Sequence, residues 1–213
     1  MKLRRTIRII APMLAVVILG LVLINALRGI RNLPRARMET VIGLTEQEAG
    51  LNDNPLPARL TAPRIVISKS RRRLELYDGE SLLRVHRVSL GRQPVGNKSR
   101  EGDCATPEGT YYICTRNPQS RYHRFLGISY PNAGDAEWGL SQGLISKAEY
   151  DSIRLAHQQG RRPPWNTPLG GEIGIHGGGT GRDWTLGCIA LTDDAIEELF
   201  EAVPSGTLVV IQP

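Results

Sequence analysis

Three cysteines and four histidines are the residues of this chain best suited to nucleophilic or metal chemistry. Two of them lie close together in glycine-rich settings: His176 precedes a run of glycines and Cys188 directly follows Gly187. A thiol attacks as its thiolate, and a nearby imidazole can take the thiol proton and later return it to a leaving amine. The pair predicts cysteine-dependent acyl transfer, with Cys188 as nucleophile and His176 as general base and acid.

Other interpretations of these residues stay open on spacing alone. A lone cysteine is most often a small buried side chain, and a histidine beside glycines is often structural. Both could be metal ligands, but Cys104 and Cys114 lack CxxC spacing and the sequence offers no complete ligand set. We therefore expect no metal and no cofactor. The odd cysteine count predicts at least one free thiol, and a disulfide between Cys104 and Cys114 is an open alternative.

Alternation of apolar and polar residues predicts short strands that position these side chains. The predicted strands cover residues 64–68, 73–77, 81–90, 110–115, 171–176, 187–191 and 207–211. A capping-box pattern at 146–149 predicts a helix reaching residue 157, and Thr192 caps a second helix over 193–200. The sequence thus predicts a mostly β domain over 64–213 with one or two small helices.

A different kind of segment precedes this domain. Residues 9–27 are uncharged and almost wholly apolar, and at 1.5 Å rise per residue they match a hydrocarbon core of about 30 Å. They predict a transmembrane anchor at 1–28, joined by a proline-containing linker at 29–63. A cleaved signal peptide is the main alternative, although residues 24–28 form a poor cleavage site. A buried helix of a soluble domain is the remaining alternative.

The positive charge of the chain is concentrated beside this segment. The formal net charge is +6, and no acidic residue occurs before Glu39. Eight basic residues lie in the first 37 positions: Lys2, Arg4, Arg5, Arg8, Arg28, Arg31, Arg35 and Arg37. The excess belongs to the N-terminal segment rather than to a face of the folded domain, so we expect no nucleic-acid partner.

The motifs around the two reactive residues resemble those of the L,D-transpeptidase catalytic domain (YkuD) family. The resemblance is carried by 175–177, Ile-His-Gly, and by 185–189, Thr-Leu-Gly-Cys-Ile. Segment 97–111 resembles the family's loop before a central strand, and segments 126–132 and 193–200 are similar to its murein-acting branch, which includes YafK-like proteins. The resemblance covers about residues 64–212.

The resemblance implies a β-sandwich-like catalytic fold and a role for each motif residue. Cys188 is implied to attack a stem-peptide amide of peptidoglycan and to form a thioester, which an amine from another stem resolves. His176 is implied to be the base, oriented by a backbone carbonyl near Gly177 or Gly178. The backbone amide groups of Gly187 and Cys188 are implied to bind the oxyanion. Gly177 and Thr185 are expected to shape the site.

One departure leaves the substrate class open. Many family members carry arginine two positions after the cysteine, where this chain has Ala190. Arg182 or Arg124 could supply a charge instead, although either is expected to be a solvated surface residue. The sequence therefore predicts an L,D-transpeptidase. A peptidoglycan hydrolase using the same pair, either a carboxypeptidase or an amidase releasing wall-linked protein, is the first alternative, and an inactive wall-binding module is the second.

This chemistry sets the expected location. Peptidoglycan lies outside the cytoplasm, so we expect a single-pass inner-membrane protein whose catalytic domain lies on the periplasmic side. Its expected partners are peptidoglycan stem peptides and, through residues 9–27, the inner membrane.

Overall fold

Eight strands form the frame of the described chain. The computed structural model describes residues 46–213, and the membrane segment predicted at 9–27 lies outside them. The strands are β1 (Pro63–Ser68), β2 (Arg73–Asp78), β3 (Ser81–Arg87), β4 (Gly109–Ser120), β5 (His123–Ile128), β6 (Gly174–His176), β7 (Ile189–Ala190) and β8 (Leu208–Gln212). Their spatial order is β3-β2-β1-β8-β4-β5-β6-β7. The predicted mostly β fold is confirmed, as one continuous sheet.

The sheet is curled. An isolated antiparallel bridge joins Ser89, just beyond β3, to Ala190 in β7, so segments at the two ends of the strand order meet. Alternate residues of the strands point inward: Ile65 and Ile67 of β1 are fully buried, as is Leu74 of β2. The main core lies inside this curl.

Four helices occur in the described residues, more than the one or two expected. They are α1 (Glu46–Asp53), α2 (Ala133–Ser141), α3 (Lys147–Gln158) and α4 (Asp193–Ala202). The predicted caps of the last two are present: Ser146 and Glu149 form a capping box, and the Thr192 side chain accepts from the Ala195 N–H. Within this part of the chain no helix is long and apolar enough to cross a membrane.

Helices α2 and α3 build a second, smaller core outside the curl. Its buried members are Ala136, Ile145, Ile153 and Leu169. Helix α4 instead contributes Ile196 to the main core. The helices therefore pack in two places: α4 packs on the main core, and α2 and α3 pack on the smaller one.

The end of the predicted linker has fixed contacts. The Asn52 side chain donates to the Val85 carbonyl at 2.7 Å and accepts from the Val85 N–H at 3.0 Å. Leu60 is buried in the main core. Residues 47–213 accordingly form one compact unit, which includes the last part of the segment predicted as linker.

Candidate active site

Strands β6 and β7 bring the two predicted reactive residues to one face of the sheet. The strands are parallel, and His176 lies opposite Ala190. Cys188 lies two positions before Ala190, directly ahead of β7. Because side chains alternate between faces with a period of two, Cys188 and His176 project to the same side. Residues distant by twelve positions in sequence are thus placed on neighbouring strands.

The imidazole of His176 is buried and held on several sides. Only 2% of the residue is exposed. The Tyr122 ring stacks on it with a centroid distance of 4.6 Å and an interplanar angle of 22°, and the Trp184 ring meets it edge-on at 5.6 Å. Nδ1 lies 2.6 Å from the Gly177 carbonyl oxygen. The carbonyl expected near Gly177 or Gly178 is that of Gly177.

This hydrogen bond fixes the tautomer of His176. A carbonyl oxygen can only accept, so Nδ1 carries the proton and Nε2 of the neutral ring has a free lone pair. Burial lowers the pKa of His176 below its ordinary 6.5; the Gly177 carbonyl opposes that change, and the positive charge of Arg121 reinforces it. At neutral pH the ring is therefore a neutral base.

The glycine loop after His176 is fixed from both sides. The Gly177 N–H donates to the Tyr122 carbonyl at 3.0 Å, and the Gly178 N–H donates to Asp193 Oδ1 at 2.8 Å. A Cβ on Gly177 would lie 2.3 Å from Asp193 Oδ1, closer than any side chain tolerates. Space therefore favours glycine at this position, and the site-shaping role of Gly177 stays a prediction.

The thiol of Cys188 has a different environment. Its residue is half-buried, and Sγ donates to the Glu172 carbonyl at 3.4 Å. Burial raises the pKa of the Cys188 thiol to about 11, while the Gly174 backbone and the charge of Lys98 act to lower it. The resting thiol is therefore protonated at neutral pH.

The backbone turn before the thiol is organised by Thr185. Its hydroxyl donates to the Cys188 carbonyl at 2.7 Å and accepts from the Gly187 N–H at 3.2 Å. Gly187 has φ +137°, and a Cβ there would lie 2.8 Å from the Ala105 carbonyl oxygen. Since the Gly187 N–H is already engaged by Thr185, the oxyanion role of Gly187 stays a prediction.

An ion pair between residues far apart in sequence holds the segment just before this turn. Arg72 binds Asp183 through two nitrogens, with Nη2 to Oδ2 at 2.7 Å. Asp183 also accepts from the Leu90 N–H at 2.9 Å. Asp183 thereby fixes the chain immediately before Trp184, whose ring contacts His176. Neither Arg72 nor Tyr122 carries a sequence signal that links it to the site.

Ala190, which replaces the arginine found in many family members, is fully buried. Its backbone exchanges two hydrogen bonds with Ser89, at 2.9 and 2.8 Å. It lies on the same face as Cys188, two positions along the strand. This position therefore contributes close packing and sheet closure rather than a charge.

The positive charge that acts on the Cys188 thiol is that of Lys98, which is itself paired with a carboxylate and was not among the predicted site residues. Lys98 is only 4% exposed and its Nζ lies 2.8 Å from Asp103 Oδ1. The two arginines that could have replaced the family arginine are not buried beside Cys188. Arg124 pairs with Glu197 at 2.6 Å, and Arg182 is exposed. The signal available in the sequence was the position of Lys98 in a loop that resembles the family.

The other cysteines are not joined in this structure. Cys104, Cys114 and Cys188 are all free thiols. Burial raises the pKa of Cys114 to about 11. Within residues 46–213 there is also no group of three His, Cys, Asp or Glu side chains arranged to hold a metal ion.

A curled, mostly β sheet that presents a thiol and a hydrogen-bonded imidazole on one face fits the catalytic domain suggested by the motifs. The L,D-transpeptidase catalytic domain (YkuD) family model matches residues 62–211, and the chain belongs to this family. The YafK protein of Escherichia coli (strain K12) is 30% identical over 156 residues, which cover 70% of this chain and 50% of that protein. The chain thus spans about half the length of the curated relatives it matches.

Solved structures also match this chain, each at low sequence identity. The helical cell shape determining protein Pgp2 from Campylobacter jejuni has 21% identity and a TM-score of 0.46, covering 78% of this chain and 55% of that one. An L,D-transpeptidase from Xylanimonas cellulosilytica has 15% identity and a TM-score of 0.44, covering 79% and 70%. Membership of the family supports a peptidoglycan-acting enzyme.

Proposed function

We propose that the chain is a peptidoglycan L,D-transpeptidase that forms a thioester between Cys188 and a stem-peptide acyl group. The observation that carries this proposal is the hydrogen bond from His176 Nδ1 to the Gly177 carbonyl. It leaves Nε2 as a base on the sheet face that Cys188 shares. Burial of the ring supports the same role, because it keeps the imidazole neutral at neutral pH.

The first half-reaction begins from a neutral pair. His176 Nε2 takes the proton from the Cys188 thiol as Sγ attacks the carbonyl carbon of the stem amide. The carbonyl oxygen becomes an oxyanion, for which the Cys188 N–H is the proposed donor, with Gly187 joining if Thr185 releases it. The C–N bond then breaks, the imidazolium gives its proton to the leaving amine, and a thioester remains.

The second half-reaction repeats these transfers in reverse. His176 removes a proton from the acceptor amine as its nitrogen attacks the thioester carbonyl, and the proton then goes to the departing sulfur. Water in place of the amine gives a hydrolase. Ala190 favours this alternative, because the arginine that the family often carries beside the nucleophile is absent.

The proposed location follows from the substrate. We place the catalytic domain, 64–213, on the periplasmic side of the inner membrane, with 1–28 as anchor and, as linker, the part of 29–63 that precedes the compact unit. The position of the family match, 62–211, supports the bounds proposed for the catalytic domain. Protease treatment of spheroplasts expressing the full chain tests the location, since a domain that resists cleavage until the membrane is lysed would contradict it.

The activity is tested with the full chain and purified muropeptides, followed by mass spectrometry. Crosslinked dimers are expected, together with a thioester adduct on Cys188 that hydroxylamine removes. Cys188→Ala should abolish both, by about 10⁴-fold or more in rate. Cys114→Ala is the matched control, since it also removes a thiol from the described domain and should retain activity.

Each other outcome assigns a different function. Shortened monomers or released amines without dimers would replace the transferase by the hydrolase. Product formation that is equal in wild type and Cys188→Ala would overturn the thioester mechanism. No change in any muropeptide, with sedimentation on intact wall material, would point to a wall-binding module.

A further inference from the structure

A cavity of about 460 Å³ lies between the loop after residue 96 and the start of α2. Neither Cys188 nor His176 lines it, so it is separate from the candidate active site. Its polar and aromatic walls come from Asn97, Lys98, Glu108, Asn132, Asp135 and Trp138. We propose that it binds a neutral, hydroxylated ring, a saccharide unit of the glycan chain that carries the stem peptide. This proposal rests on the proposed peptidoglycan function.

The charges in the cavity wall are already neutralised. Glu108 Oε1 lies 2.7 Å from the ammonium group of Lys69. Lys98 lies 2.8 Å from Asp103 Oδ1. A charged ligand would find its counter-charge engaged in either case, and separating such buried pairs is costly. The wall therefore favours a neutral ligand.

The start of α2 is likewise closed to anions. Asn132 and Asp135 form a capping box, in which Asp135 accepts from the Asn132 N–H at 2.8 Å. Asp135 also accepts from the Tyr111 hydroxyl at 3.1 Å and is only 8% exposed. This buried carboxyl lies in the first turn of α2, where its negative charge offsets the positive end of the helix dipole. A phosphate or carboxylate would meet it at close range.

Three groups remain available to a neutral polar ring. Trp138 is 43% exposed at the cavity, and its indole offers a flat face to the C–H side of a pyranose. The Asn132 amide nitrogen has a long bond of 3.5 Å to the Thr110 carbonyl and can donate to a ligand. Within residues 46–213 the second oxygen of Glu108 has no hydrogen-bond partner and can accept from a hydroxyl. An aromatic face with a donor and an acceptor beside it suits a sugar.

The cavity and the candidate active site adjoin the same loop. Lys98 lines the cavity, and its charge acts on the Cys188 thiol. Further along the loop, the Ala105 carbonyl packs against Gly187. The stem peptide extends from the sugar by about 3.5 Å per residue. A glycan held in the cavity would therefore keep the stem peptide near the nucleophile.

The test is titration of the full-length protein with the N-acetylglucosamine trimer, followed by calorimetry and tryptophan fluorescence. Saturable binding is expected, weakened about tenfold by Trp138→Ala and less by Trp138→Phe, which keeps an aromatic face. Leu155→Ala is the matched control: it truncates an exposed apolar residue of α3 that does not line the cavity. No saturable binding, or equal binding by wild type and Trp138→Ala, would overturn the proposal.

A second arm separates this proposal from the proposed function. Wild type should use a glycan-linked stem peptide with a higher kcat/KM than the free peptide, and Trp138→Ala should reduce that ratio about tenfold. Loss of turnover on both substrates with intact trimer binding would reject the activity and leave the saccharide site standing. Binding of free lysine in the cavity, blocked by Trp138→Ala, in place of the trimer would instead identify a cation site.

Discussion

The surroundings of His176 and Cys188 differ in the kind of contact that holds each residue. His176 is held by side chains and a carbonyl: Tyr122 covers its face, Trp184 its edge, and the Gly177 oxygen its Nδ1. Cys188 is placed by its backbone, through a turn that Thr185 closes. His176 is thus fixed by packing, while Cys188 is a half-buried side chain on a fixed main chain.

This difference suits the two proposed roles. A general base must keep one tautomer and one ring orientation through both half-reactions, and tight packing provides this. A nucleophile must approach and leave a carbonyl carbon, which needs an open side chain on a rigid backbone. Substitutions around His176 should therefore change proton transfer, whereas substitutions around Cys188 should change the geometry of attack.

The strongest test of this comparison is removal of the base. His176→Ala should lower the acylation rate by about 10²- to 10⁴-fold, measured as the rate of adduct formation on Cys188. In wild type the acid limb of log(kcat/KM) should lie below pH 6.5, because burial lowers the pKa of His176 from that value. As pH falls through the lowered pKa, the ring is protonated and the base is lost. An acid limb above pH 6.5 would contradict a neutral buried ring.

Thiol alkylation extends the same test to Cys188. With iodoacetamide, the reaction of the resting protein should accelerate towards pH 11, since burial raises the thiol pKa to about 11. Rapid alkylation at pH 7 that His176→Ala abolishes would show a preformed ion pair instead.

The next largest effect is expected at the backbone of the nucleophile turn. Gly187→Ala puts a Cβ 2.8 Å from the Ala105 carbonyl at φ +137°, and should reduce activity about 10²-fold and stability by about 1–3 kcal/mol. Gly179→Ala is the control, because φ is +97° but a Cβ there meets nothing within 4 Å. Thermal unfolding and kcat measured for both variants separate the effect of the steric clash with Ala105 from the effect of backbone strain at positive φ. Equal losses would show that strain alone matters.

A smaller effect is expected when Thr185 loses its hydroxyl. Thr185→Val removes one hydrogen bond to the Cys188 carbonyl and one from the Gly187 N–H, which should cost about 1–3 kcal/mol and slow acylation roughly 10- to 100-fold. Thr185→Ser keeps the hydroxyl and should retain most of the rate. If Thr185 merely fills space, valine should be tolerated better than serine.

The smallest effect is expected at the stacked ring. Tyr122→Leu removes the 4.6 Å stack on His176 and should lower kcat by about 2- to 10-fold, with a change in the acid limb of the pH profile. Tyr122→Phe keeps the ring and should behave like wild type in both. A change confined to KM would show that Tyr122 contacts substrate instead of positioning the base.

Local patterns predicted much of the fold. The alternation in β1 and β2 matches strands with one buried face, and the capping box at Ser146 opens α3 as expected. These features depend on neighbours within a few positions, so they are visible in sequence. Cys188 and His176 were singled out because both motifs lie in short glycine-rich segments, and their catalytic roles stay a prediction.

The missed features depend on contacts between distant segments. Strand β5 contains Gly127 and forms by pairing with β4 and β6, so its own sequence gives a weak signal. Arg84 is buried because its guanidinium donates hydrogen bonds to Glu198, 114 positions later, a partner that local sequence does not reveal. Helix α2 was not predicted, because its apolar residues pack on a separate small core built from other segments. The stack of Tyr122 on His176 also joins residues far apart in sequence, so it was not predicted either.

The bridge between Ser89 and Ala190 also bears on self-association. A strand as short as β7 beside a reactive thiol would otherwise expose main-chain amides and carbonyls to any extended peptide. Because Ser89 already occupies the donor and acceptor of Ala190, another chain cannot extend the sheet at this point. A second copy therefore cannot pair edge-to-edge at Ala190, and the acyl donor of the proposed reaction cannot add a strand at this point.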